Sequence, residues 1–158
     1  RGDWAPRSVH WRLREIGAAI RASEQEQGRD ARDSEVAERI GISLDEYHRC
    51  MQDATQCQML SMSSHDSDES DIEYAGDCAS PQEELERAEF QGELAEAIRS
   101  LPEREKLVLS LYYDDELNLR EIGEVLDVSE SRVCQIHGQA LTRLRARLDS
   151  RSGARAAT

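Results

Sequence analysis

The side chains with the clearest chemistry lie between residues 130 and 147: Glu130, Ser131, Arg132, Gln135, His137, Arg143, Arg145 and Arg147. Spread along a single helix, they form a polar, basic face. Carboxylate, hydroxyl and amide groups near the start of a helix can read base edges, and arginines near its end can hold phosphates. No other chemistry competes with this one. The sequence contains no phosphate-cradling glycine loop, nucleophile elbow or metal-ligand cluster. Its carboxylates fall in helix caps and in one acidic segment, so a catalytic role is not expected.

A helix-turn-helix must position that face. Leu119, Ile122 and Leu126 recur at helical spacing, as do Val133, Ile136, Leu141 and Leu144. Asn118 caps the first helix, with Glu121 three residues on as a capping box. Gly123 is small, as a close helix crossing requires. Asp127-Val128-Ser129 breaks the period, and Ser129 caps the second helix. Residues 130–147 then make a rod of roughly 27 Å at 1.5 Å per residue.

The charge balance qualifies this reading. The 158 residues carry a net charge of −13, which is wrong for a simple DNA binder. Residues 61–92 carry one arginine against ten acids, whereas residues 129–158 carry six arginines against Glu130 and Asp149. Such a chain would bind DNA weakly by itself and need a partner to hold it there. Cys50, Cys57, Cys78 and Cys134 form no C-x-x-C pair. With His10, His48, His65 and His137 they do not cluster as zinc ligands, so neither metal nor cofactor is expected. Reduced thiols, no signal peptide and no membrane-spanning run point to a cytoplasmic protein. The chain opens without an initiator methionine and reads as a fragment.

The fold class is all-α: two small helical modules, each with a helix-turn-helix. A three-helix module covers residues 1–60. Its helices start at Pro6 and stop at Gly28, run from about Ser34 to Gly41, and run from the Ser43/Glu46 box to about Cys57. Residues 61–80 read as a flexible acidic linker. A four-helix module covers 81–149, opening with Ser80-Pro81-Gln82-Glu83; Leu85, Ala88, Leu94, Ala95 and Ile98 form the buried stripe of its first helix. Leu107, Val108, Leu111 and Tyr112 form that of the next. Residues 150–158 read as a disordered tail. The modules echo each other at an offset of 86 residues: Ala37 falls on Gly123, Gly41 on Asp127, Ser43 on Ser129 and Tyr47 on Val133.

LPEREKLVLSLYYDDELNLREIGEVLDVSESRVCQIHGQALTRLRARL resembles the fourth domain of the bacterial sigma-70 family. RGDWAPRSV resembles the junction into the third domain of its motility (flagellar) group. The resemblance implies a promoter-specificity subunit that partners core RNA polymerase, promoter DNA and an anti-sigma factor, without a membrane. It places Glu130, Ser131 and Gln135 on base-reading positions of the −35 element, with Arg132 beside them. The phosphate-contacting role falls to Arg143, Arg145 and Arg147. It places Asp3, Arg7 and Arg14, with His10 near them, on DNA next to the −10 element. Trp4 and Trp11 are expected to pack. Two other readings remain: a free-standing helix-turn-helix regulator binding operators as a dimer, and a module that binds only protein.

Overall fold

The computed structural model describes residues 7–67 and 80–156, and all regular structure among them is helical. The chain winds through α1 (Arg7–Gln27), α2 (Asp33–Ile40), α3 (Leu44–Ser67), α4 (Pro81–Arg99), α5 (Glu103–Tyr113), α6 (Leu119–Leu126) and α7 (Glu130–Ala156).

Local signals explain most boundaries. Gly28 closes α1 with φ 63°, and Gly41 closes α2 with φ 83°, both in the left-handed region that glycine tolerates. At α4, the Ser80 hydroxyl accepts from the Glu83 N–H while the Glu83 carboxylate accepts from the Ser80 N–H. Asn118 and Glu121 close the same reciprocal box on α6. Each box satisfies two amides that the first helical turn would leave bare.

Two boundaries differ from expectation. Helix α3 continues to Ser67, past its expected end near residue 57, and no proline or glycine interrupts residues 42–75. Of the expected linker, residues 68–79 lie outside the described residues. Helix α7 continues to Ala156 through most of the expected disordered tail. There the Arg151 guanidinium pairs with Glu96 at 2.9 Å, and the Ser150 hydroxyl donates to the Arg147 carbonyl.

Three apolar clusters hold the helices. Leu13, Ile16, Ile20, Val36, Tyr47 and Met51 join α1, α2 and α3. Val108, Ile122, Val133 and Ile136 join α5, α6 and the start of α7. Ala97, Leu101, Leu109, Ala140 and Leu144 join α4, α5 and the middle of α7. The expected stripe on α4 is not buried: Leu85 and Ile98 are exposed, Phe90 is 53% exposed, and only Ala97 is enclosed. On α5, Leu109 is buried and Leu107 is exposed, because the face toward α7 begins one residue later than the apolar run suggests.

Candidate nucleic-acid interface

The turn between α6 and α7 sets the approach of the basic helix. Asp127 adopts φ 55°, and the Val128 N–H donates to the Gly123 carbonyl at 2.9 Å. A Cβ on Gly123 would stand 2.7 Å from the Val128 carbonyl oxygen, so the close approach is to the turn itself rather than to a crossing helix. The Ser129 hydroxyl accepts from the Arg132 N–H at 3.2 Å and starts α7. The α2–α3 corner repeats this geometry. Gly41 takes the left-handed turn, the Ile42 N–H donates to the Ala37 carbonyl, and the Ser43 hydroxyl accepts from the Glu46 N–H. Tyr47 and Val133, paired by the offset of 86 residues, are both fully enclosed.

The eight polar residues of α7 do not share one open face. Glu130, Ser131 and Arg145 are exposed, and Arg132, Gln135 and Arg147 are half-buried. His137 and Arg143, expected on the solvent side, are each only 1% exposed. The reason is tertiary: α7 serves as the central rod of the molecule and lies against α1 and α3 as well as α4, α5 and α6. A Cβ on Gly138 would fall 1.9 Å from the Met51 carbonyl oxygen of α3, and one on Gly17 of α1 would meet the Ala146 Cβ at 3.3 Å. Backbone therefore meets backbone at the α3 crossing, which only glycine permits.

Polar contacts follow the same seam. Asp33, at the start of α2, accepts from Gln139 Nε2 at 2.7 Å and lies 3.5 Å from the Arg132 guanidinium and 3.2 Å from His48 Nε2. Arg143 donates through Nε to Glu24 at 2.8 Å, through a second nitrogen to the Ala31 carbonyl at 3.3 Å, and through the third to Glu105. Arg147 donates to Glu24 at 3.2 Å and to the Ser100 hydroxyl at 2.6 Å. Burial pushes the Glu105 carboxyl above the ordinary carboxylate value, and the Arg143 charge opposes that rise.

His137 is set by an uncharged network. The Thr55 hydroxyl donates to the Cys134 carbonyl at 2.8 Å, so its oxygen is left to accept from His137 Nδ1 at 3.2 Å. His137 Nε2 is then a buried acceptor without a protein partner. Tyr112 and Tyr113 lie against the ring, with centroids 5.0 and 6.1 Å away. Burial in this setting lowers the imidazole pKa to about 4, so the ring is neutral at neutral pH.

On α1, Arg14 is exposed and His10 is half-buried. Asp3 and Trp4 lie outside the described residues, as does the side chain of Arg7. Trp11, expected to pack, is 63% exposed. Sequence reasoning missed Glu24, Asp33 and Thr55 as partners of α7. The available signal was Gly138, because a glycine in a helix interior costs about 1 kcal/mol against alanine unless a close approach requires it. Among the described residues, no helix is long and apolar enough to cross a membrane.

Comparison with known proteins adds to this geometry. Residues 97–146 match the family described as Sigma-70, region 4, and residues 12–85 match Sigma-70 region 3. The RNA polymerase sigma factor FliA of Pseudomonas aeruginosa is 48% identical over 158 aligned residues, which cover 94% of this chain and 61% of that protein. FliA of Yersinia enterocolitica is 44% identical, with coverage of 95% and 67%. The RNA polymerase sigma-D factor of Bacillus subtilis is 36% identical, with coverage of 90% and 59%. A solved flagellar sigma/anti-sigma complex, Sigma-28/FlgM, aligns at 32% identity and a TM-score of 0.49, covering 94% of this chain and 62% of that one. The chain spans about three fifths of the length of the FliA protein of P. aeruginosa.

Proposed function

The chain belongs to the sigma-70 family, and from that premise we propose that it serves as a promoter-specificity subunit of bacterial RNA polymerase at flagellar promoters. One observation carries the reading. The α6–turn–α7 unit is built to present the first turn of α7, with Glu130 and Ser131 exposed and Gln135 half-buried one turn on, inside the stretch that matches region 4. A carboxylate there can accept from cytosine N4, and an amide can pair with adenine N6 and N7. Arg145 is placed for phosphate in the present arrangement, whereas Arg143 and Arg147 are placed for it once α1 has moved away. Arg7, His10 and Arg14 recur on one face of α1, and with Asp3 they would touch the duplex beside the −10 element. Each contact is weak, and two contacts held on one polymerase become strong.

The partners in this reading are core polymerase, promoter DNA and an anti-sigma protein. The site of action is the cytoplasm, and the chain has no catalytic role of its own. Run-off transcription tests the proposal: the full-length gene product is added to core polymerase on a flagellar and on a housekeeping promoter. Selective transcripts from the first are expected. Silence on both, with no binding to core, would favour an operator-binding regulator instead.

A further inference from the structure

We propose that Arg143 and Arg147 form a preset anion clamp and that Glu24 of α1 occupies it as an internal stand-in for a nucleic-acid phosphate. The inference deepens the DNA-binding reading above and rests on it.

The geometry of the donors carries the argument. Arg143 and Arg147 are four residues apart on α7 and so lie on one face. Each is fixed by a partner from its own end of the molecule: Arg143 by Glu105 of α5, and Arg147 by the Ser100 hydroxyl at the end of α4. Those bonds leave Arg143 Nε and one terminal nitrogen of Arg147 directed at the same place. The two oxygens of Glu24 fill it, at 2.8 and 3.2 Å. Two guanidinium donors converging on one two-oxygen anion is the arrangement that binds phosphate, and charge assistance makes it strong. If Glu24 leaves, Glu105 and Ser100 keep the arginines oriented for the next anion.

The seam around the clamp has the character of a separable joint. Tyr47 Oη, Glu105 Oε2 and His137 Nε2 are all buried without a protein partner, and all three belong to residues lying along α7. A permanent core rarely leaves three polar atoms unsatisfied in one place. The apolar side chains are divided correspondingly, with one cluster among α1, α2 and α3 and two among α4 to α7. What joins the two sides is therefore the glycine crossings and the polar contacts of Glu24, Asp33 and Thr55. DNA and Glu24 compete for the same two donors.

Fluorescence anisotropy tests this with the 158-residue chain and a 30-base-pair duplex of random sequence at fixed salt. A phosphate contact carries no sequence information, so the gain must not depend on sequence. Glu24→Gln should tighten binding by roughly tenfold, the effect of one charge-assisted pair. Glu26→Gln serves as control: it breaks a separate ion pair, with Arg39, and should change nothing. A third variant, Gly138→Leu, forces α3 off α7 and leaves Glu24 intact. Thermal melts check that each variant is folded. Tighter binding by Gly138→Leu without any gain from Glu24→Gln would overturn the stand-in role and leave the DNA-binding reading in place. No gain from either would remove both.

Discussion

At the scale of single residues, burial separates two kinds of arginine on α7. Arg143 is enclosed among Glu24, Glu105 and the Ala31 carbonyl, so its removal strands the Glu105 carboxylate in the interior. Breaking such a pair from one side costs about 3–5 kcal/mol. Arg143→Ala should lower the stability of the chain by that amount in urea denaturation, whereas Arg145→Ala, on an exposed side chain, should leave it nearly unchanged. A stability equal to the parent in Arg143→Ala would mean that the buried network is not formed. Gln135 makes the opposite case. Its amide accepts from Arg132 at 3.2 Å and supports little of the core. Gln135→Ala should keep the fold and weaken dependence on the −35 element by about 1–3 kcal/mol of discrimination, read as transcription from promoters with intact and altered −35 sequences.

The element that positions those residues is the α6–turn–α7 corner, where tolerance is limited by backbone rather than by side chains. The atom nearest a Cβ at Gly123 is a carbonyl oxygen, which cannot swing aside as a flexible side chain would. Gly123→Ala should therefore cost about 1–3 kcal/mol through overpacking, seen as a lower thermal midpoint. Asn118→Ala should cost about 1 kcal/mol by uncapping α6, and Asn118→Ser should restore most of it. The matching corner at α2–α3 carries Ala37 where α6 carries Gly123, so the same corner tolerates a methyl group there. Equal tolerance of alanine at position 123 would contradict the close approach.

For the molecule as a whole, α7 couples its two halves, and His137 makes that coupling sensitive to pH. The folded imidazole has its pKa lowered to about 4 from an ordinary value of 6.5. Below 6.5 the unfolded chain takes up a proton that the folded chain refuses. Stability is thus complete above about pH 6.5 and is lost progressively as pH falls toward 4, by on the order of 3 kcal/mol. Urea midpoints at pH 7 and pH 4.5 measure this loss. His137→Asn should remove most of the difference between them, and an unchanged difference would assign it to other groups. Thr55, Tyr112 and Tyr113 surround the ring from α3 and α5, so proton uptake there acts on the joint between the halves.

The sequence alone determined the local parts. Caps at Ser80, Asn118 and Ser129, stops at Gly28 and Gly41, and the repeat at an offset of 86 residues were all legible, because each depends on side chains a few residues apart. The first turn of α7 was legible for the same reason. Only the tertiary structure decided which side of α7 faces water. Helical spacing shows that Arg143 and His137 can point outward, but an arginine reads as solvent-facing until a carboxylate distant in sequence, such as Glu24 or Glu105, is brought against it. The same limit hid the exposure of Leu85, Phe90 and Trp11, since an apolar side chain is buried only when another element arrives to cover it. Long-range packing is a property of where whole helices lie, and no short window of residues encodes it.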